Sequence, residues 1–212
     1  MKKTTLSIIF ALTFLISGGG LLLAAAQDDA PQAQLPVLIT ACGQSPDSSL
    51  IKAIFMRAKL EHPTPAYELI LEAAPEDLKT AADAGRPFKS MMIIMGASLK
   101  GMGAAGISIE DELERTEKLV AAARSQGISI IGVHIGGMKR RAQGADPGDN
   151  TDELSIDAVA PNSDFLIINQ DGNEDGRFTT IAKEKQMAIL TVVKNLDLLE
   201  IVKQIYGQKY PQ

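Results

Sequence analysis

Residues 90–95 read Ser90-Met91-Met92-Ile93-Ile94-Met95, apolar at every position after the first. A strand whose two faces are both apolar is buried on both, as a central strand of a parallel sheet is. The stretch Tyr67-Glu68-Leu69-Ile70-Leu71-Glu72 has the same length but carries charges and mixes its faces, as an edge strand does. Four more short apolar runs, Leu35–Thr40, Ile128–His134, Phe165–Ile168 and Ala188–Val193, complete the set of expected strands. Amphipathic stretches separate them. One opens at Ser45-Pro46, with Ser45 as cap, and carries Ile51, Ile54, Phe55 and Ala58 at helical spacing. Pro75–Ala84 is closed by Gly85. Ser108-Ile109-Glu110-Asp111 resembles a capping box and opens a helix that Gly127 stops. Thr151–Val159, Phe178–Glu184 and a last helix with Leu198, Leu199, Val202, Ile205 and Tyr206 on one face follow.

Alternation of strand and helix predicts right-handed crossovers and an α/β fold. The expectation is a single doubly wound three-layer sandwich over residues 35–210, with a mostly parallel sheet of five or six strands. The contrast between residues 67–72 and 90–95 favours the flavodoxin-like strand order 2-1-3-4-5, with a sixth strand outside, over the Rossmann order 3-2-1-4-5-6. In that order the switch point lies between the first and third strands, and a ligand is expected at the carboxyl ends of the strands there.

The 212 residues are 45% hydrophobic and 22% charged, a globular composition. A net charge of −5 and 4% aromatics without Trp argue against nucleic acid as a partner. A single Cys leaves no disulfide framework and no Cys-rich zinc site. Lys2 and Lys3, the apolar run Leu6–Leu23 and Ala24-Ala25-Ala26 read as a signal peptide over residues 1–26, cleaved before Gln27. The alternative is an uncleaved anchor, the one case in which a membrane enters. Ile39-Thr40-Ala41-Cys42 matches a lipoprotein cleavage box, but Asp28, Asp29 and Pro31 separate it from the apolar run. Residues 27–34 are expected to be a flexible lead-in, and the destination to be the periplasm or the extracellular space.

Four loops follow strands on the expected rim. Cys42-Gly43-Gln44-Ser45 ends the first strand, where a helix N-terminus favours an anion or a reactive thiol. Gly96–Gly106 is Gly-rich and holds Ser98 and Lys100. Its G-x-G-x-x-G, at Gly101, Gly103 and Gly106, starts too far past Met95 for a dinucleotide fingerprint, and no Gly-Lys-Ser/Thr follows. The third loop carries His134 and the cations Lys139, Arg140 and Arg141, which either bind an anion or pair with Asp146, Asp149, Asp152 and Glu153. In the fourth, Asp171, Asn173, Asp175 and Gly176 match the start of a calcium loop. Its twelfth position is Ala182 rather than Glu, so calcium would bind at roughly millimolar affinity. No other cofactor is expected.

The leader, Cys42-Gly43-Gln44-Ser45-Pro46, the Gly96–Gly106 loop and Gly172-Asn173-Glu174-Asp175-Gly176 followed by Phe178 resemble an uncharacterised family of exported bacterial proteins, a domain of unknown function. The resemblance implies an exported α/β domain and transfers no catalytic residue. The leading expectation is a domain that binds a small anionic molecule through Cys42, Gly43, Gln44, Ser45, Gly96, Ser98, Lys100, His134 and Arg140. One alternative is a cell-envelope hydrolase, with Cys42 or Ser98 as nucleophile and His134 as base. The other is an interaction module for another envelope protein.

Overall fold

The computed structural model describes residues 30–142 and 150–207. Residues 1–26, read as a signal peptide, and Asp146 and Asp149 lie outside them. Six strands form one all-parallel sheet in the order β2-β1-β3-β4-β5-β6. They are β1 (Val37–Ala41), β2 (Tyr67–Leu69), β3 (Ser90–Ile94), β4 (Ser129–His134), β5 (Phe165–Asn169) and β6 (Ala188–Val192). This is the flavodoxin-like order with the sixth strand outside.

The pattern of residues 90–95 explains why. Every residue of β3 is buried, and its side chains alternate between two separate cores. Met92 and Ile94 pack with Val37, Ile39, Ile131 and Val133 under α1 (Asp47–Ala58) and α7 (Leu198–Tyr206). Met91, Ile93 and Met95 pack on the opposite face under α2 (Pro75–Asp83), α4 (Ile109–Ser125), α5 (Thr151–Val159) and α6 (Arg177–Lys185). Only edge strands β2 and β6 leave much of their surface in water. Each buried Leu, Ile or Met contributes about 1.5–3 kcal/mol relative to exposure.

The capping box at Ser108 forms as expected: its hydroxyl accepts from Asp111 N–H at 3.1 Å, and the Asp111 carboxylate accepts from Ser108 N–H at 2.8 Å. Three details differ from the expectation. Ser45 does not cap α1, because its hydroxyl turns to the Met95 carbonyl at 3.4 Å. The Gly96–Gly106 loop contains a short helix, α3 (Leu99–Ala105). Its glycines disfavour helix, but Ser98 caps it, Met102 anchors it among Ala97 and Ile109, and Gly106 ends it at φ 70°. Finally, the chain is packed from Ala33 onward, since Ala33 is buried and its N–H reaches the Ile205 carbonyl at 2.9 Å.

Candidate functional site

From β1 the chain turns to α1 on one face. From β3 it turns to α3 and α4, and α4 covers the other face. The crevice between them is the switch point. Gly43 makes its floor tight. It sits at φ 87°, and a Cβ there would lie 2.6 Å from the Ala97 Cβ.

The end of β1 is already filled from within. Gly43 N–H donates to the Glu112 carboxylate at 2.6 Å. Glu112 is buried and is held by Arg115 through Nε and Nη2, both at 2.9 Å. Arg115 also donates to the Ala73 carbonyl at 2.7 Å and the Ala41 carbonyl at 2.5 Å. The chain's own carboxylate thus occupies the place at Gly43 that the sequence suggested for a bound anion. Cys42 is buried beside Thr116, and burial pushes its thiol up to about 11, so it stays protonated at neutral pH. A thiol in that state is neither exposed nor activated. Gln44 hydrogen-bonds the Glu72 carboxylate at 2.9 Å. Of this loop, Pro46 reaches the cavity described below.

His134 is fully buried. One ring nitrogen, Nε2, pairs with the Arg140 carbonyl at 2.9 Å, while Nδ1 has no partner. The ring packs on Phe178 with centroids 5.1 Å apart, and burial lowers its pKa. Among the described residues no Ser, Cys or carboxylate hydrogen-bonds it.

In the calcium-type loop two of the candidate side chains accept from neighbouring N–H donors. Asp175 pairs with Arg141 at 2.8 Å. The Asn173 side-chain oxygen accepts from Phe178 N–H at 2.9 Å, while Asp171 is exposed. Asn173 and Asp175 therefore point to N–H donors rather than to a common centre. Among the described residues no cluster of His, Cys, Asp and Glu is arranged to hold a metal. Arg141, with 0% of its side chain exposed, also pairs with Glu153 at 2.6 Å and lies 5.5 Å from the centre of the Phe178 ring. Arg177 closes the network onto Glu153 and Asp157.

Against this crowded rim a cavity opens among the described residues, with a volume of about 490 Å³. Its walls carry Ser98 and Lys100 from the β3 side and Arg140 from the β4 side. Thr151 and Asp152, the first residues of α5, close it. Of the sequence candidates, Ser98, Lys100 and Arg140 are brought together here. Ser98 accepts from Gly101 N–H at 3.0 Å, and Gly96 N–H is held by Ser155 at 2.9 Å. The Arg140 guanidinium donates to the Ala97 carbonyl at 2.9 Å, and among the described residues neither it nor Lys100 forms an ion pair. Asp152 and nearby Asp47 have raised pKa values, chiefly through burial, with the charge of Arg140 opposing. The sequence named Asp152 only as a partner for cations and gave no reason to notice Asp47.

The fold is that of a doubly wound α/β domain with a polar cavity at the carboxyl ends of its strands. The chain belongs to the family described as a domain of unknown function, DUF6305, whose sequence profile spans residues 34–206. No curated protein matches it. Among solved structures, that of an acetyl xylan esterase, AlAXEase, is similar at 9% identity and a TM-score of 0.35, covering 81% of this chain and 86% of that one. A likeness that distant carries no argument about chemistry.

Proposed function

We propose that this domain binds a small anionic molecule in the cavity at the β1/β3 switch point. The observation that supports the reading is the state of Lys100 and Arg140. Arg115, Arg141 and Arg177 are engaged by carboxylates, whereas these two cations face a cavity without an ion pair. A volume of about 490 Å³ falls within the range of roughly 300–1,000 Å³ of small-molecule sites. Export completes the proposal and rests on Lys2, Lys3, Leu6–Leu23 and Ala24–Ala26.

The test is calorimetric titration with a panel of small carboxylates and inorganic phosphate. Binding that falls at least about tenfold in Lys100→Ala and in Arg140→Ala supports the site. Unchanged binding in Lys100→Ala with Ser98→Ala refutes it. The mass of the protein taken from the cell envelope tests export: a mature chain starting at Gln27 is expected.

A second reading, an interaction surface, has its own observation. Of six large hydrophobic side chains exposed among the described residues, Leu71, Leu99, Met138, Val193 and Leu196 follow strands at the carboxyl rim, and only Met56 does not. A photo-crosslinker at position 138 that captures no envelope protein would count against it.

A further inference from the structure

The cavity is walled by charges of both signs that do not neutralise one another. Lys100 and Arg140 supply the positive side, and Asp152 the negative. Asp152 Oδ1 is sealed from water and has no hydrogen-bond donor. Asp47 Oδ2 is in the same condition. A Cβ on Gly136 would meet the Asp47 oxygen at 2.8 Å and clash with the Arg140 Cγ, so Asp47 and Arg140 approach the same glycine. Arg140 influences both carboxylates electrostatically but forms an ion pair with neither. Its guanidinium donates one side-chain hydrogen bond, to Ala97, and a guanidinium carries five N–H donors.

Buried charges in proteins are normally paired, and buried carboxylate oxygens normally have donors. An anion alone would answer Lys100 and Arg140 but meet repulsion from Asp152 on the same cavity. A cation alone would answer the carboxylates and be repelled by Arg140. A divalent metal fails for the same reason, because Arg140 acts on both carboxylates.

We infer that the ligand is a zwitterion of the α-amino acid class: its carboxylate meets Lys100 and Arg140, and its ammonium meets Asp152. This rests on the anion-binding reading above and sharpens it. Oδ1 of Asp152 is sealed, so the ammonium meets the carboxylate on the side by which Asp152 lines the cavity. Thr151 and Leu99 also line the cavity.

The experiment titrates purified protein with the L-α-amino acids. Each is compared with its des-amino carboxylic acid and its decarboxylated amine, and inorganic phosphate is included. The expected result is one or more amino acids binding at least about tenfold tighter than both matched analogues. Asp152→Asn is then expected to weaken the amino acid by a similar factor and to leave the des-amino acid unchanged. Lys100→Ala weakens both. If a carboxylate or phosphate binds as tightly as any amino acid, the zwitterion inference is overturned and the anion site stands. If nothing in the panel binds, both fall. Should Asp152→Asn fail to fold, the comparison of amino acid with des-amino acid on the unaltered protein decides alone.

Discussion

Replacing Glu112 by Ala perturbs the point on which the whole switch region is hung. Glu112 accepts from Gly43 N–H and from two nitrogens of Arg115, and Arg115 in turn holds the carbonyls of Ala41 and Ala73. One carboxylate therefore ties α4 to the ends of β1 and of the segment after β2. Removing it leaves a guanidinium with 15% of its side chain exposed and an amide with no acceptor. Breaking a buried pair from one side costs about 3–5 kcal/mol, and the exposed part of Arg115 puts this case near the lower end. The orphaned Gly43 N–H adds about 1–2 kcal/mol. The expected loss is about 4 kcal/mol, a large share of the ~5–15 kcal/mol that holds a typical domain folded. Urea unfolding reads it directly. With a slope of about 2 kcal/mol per M, the midpoint falls by about 2 M while the slope stays constant. Glu112→Gln retains an acceptor for Gly43 and is expected to cost roughly half as much. A loss below about 1 kcal/mol for Glu112→Ala would refute the claim that this carboxylate organises the rim. The same variants locate the ligand. If small anions bind tighter to Glu112→Gln than to the original chain, they bind at Gly43, and the site is not in the cavity.

Other outcomes follow from the same contacts. Gly172→Ala sets a Cβ 2.8 Å from His134 Nδ1; the overpacking is expected to cost about 1–3 kcal/mol, measured by the same unfolding assay. Burial holds the folded His134 below its usual 6.5. The unfolded chain therefore takes up the proton first, and stability present above pH 6.5 is lost as pH falls through it. Thermal unfolding between pH 7.5 and 5.5 should show a steeper fall for the original chain than for His134→Gln. Cys42 has the alkaline counterpart, since its thiol rises from 9.0 to about 11. Above pH 9 the unfolded thiol ionises and the folded one does not, so stability drops by up to about 2.7 kcal/mol near pH 11. Cys42→Ala removes that drop, and thiol labelling of the folded protein at pH 7.5 should be slow until denaturant is added.

Fold was legible in this chain because it depends on periodicity. Residues 90–95 are apolar on both faces and are buried on both. Residues 67–72 carry Glu68 and Glu72, and Tyr67–Leu69 is a short, half-exposed edge. Strand order followed from that contrast. Local signals failed where a distant group competed for the same atom. Ser45 is a good cap by composition, but the Met95 carbonyl takes its hydroxyl. The helix at Leu99–Ala105 is hidden by Gly101 and Gly103, and it exists because Met102 finds a core of its own.

The rim resisted reading for a related reason. Its charges are sorted by pairings across long stretches of chain, and no spacing rule predicts them. Gly43 meets Glu112 69 residues away, and Arg141 meets Asp175 at 34. From sequence alone, Lys139, Arg140 and Arg141 are three equal cations. In the fold they separate: Arg141 is drawn into the interior between Glu153 and Asp175, Lys139 is exposed, and Arg140 alone lines the cavity. The acidic side sorts the same way, since Glu153 and Asp175 are held by arginines while one oxygen each of Asp47 and Asp152 is left without a donor. A charge that the fold pairs is part of the scaffold. Where charges of both signs line one cavity without pairing to one another, as Lys100, Arg140 and Asp152 do, a ligand that carries both charges would complete the pairing. Binding at this site should therefore stabilise the fold as well as occupy it. The expected sign is a rise in melting temperature with a zwitterion and little or none with its des-amino acid.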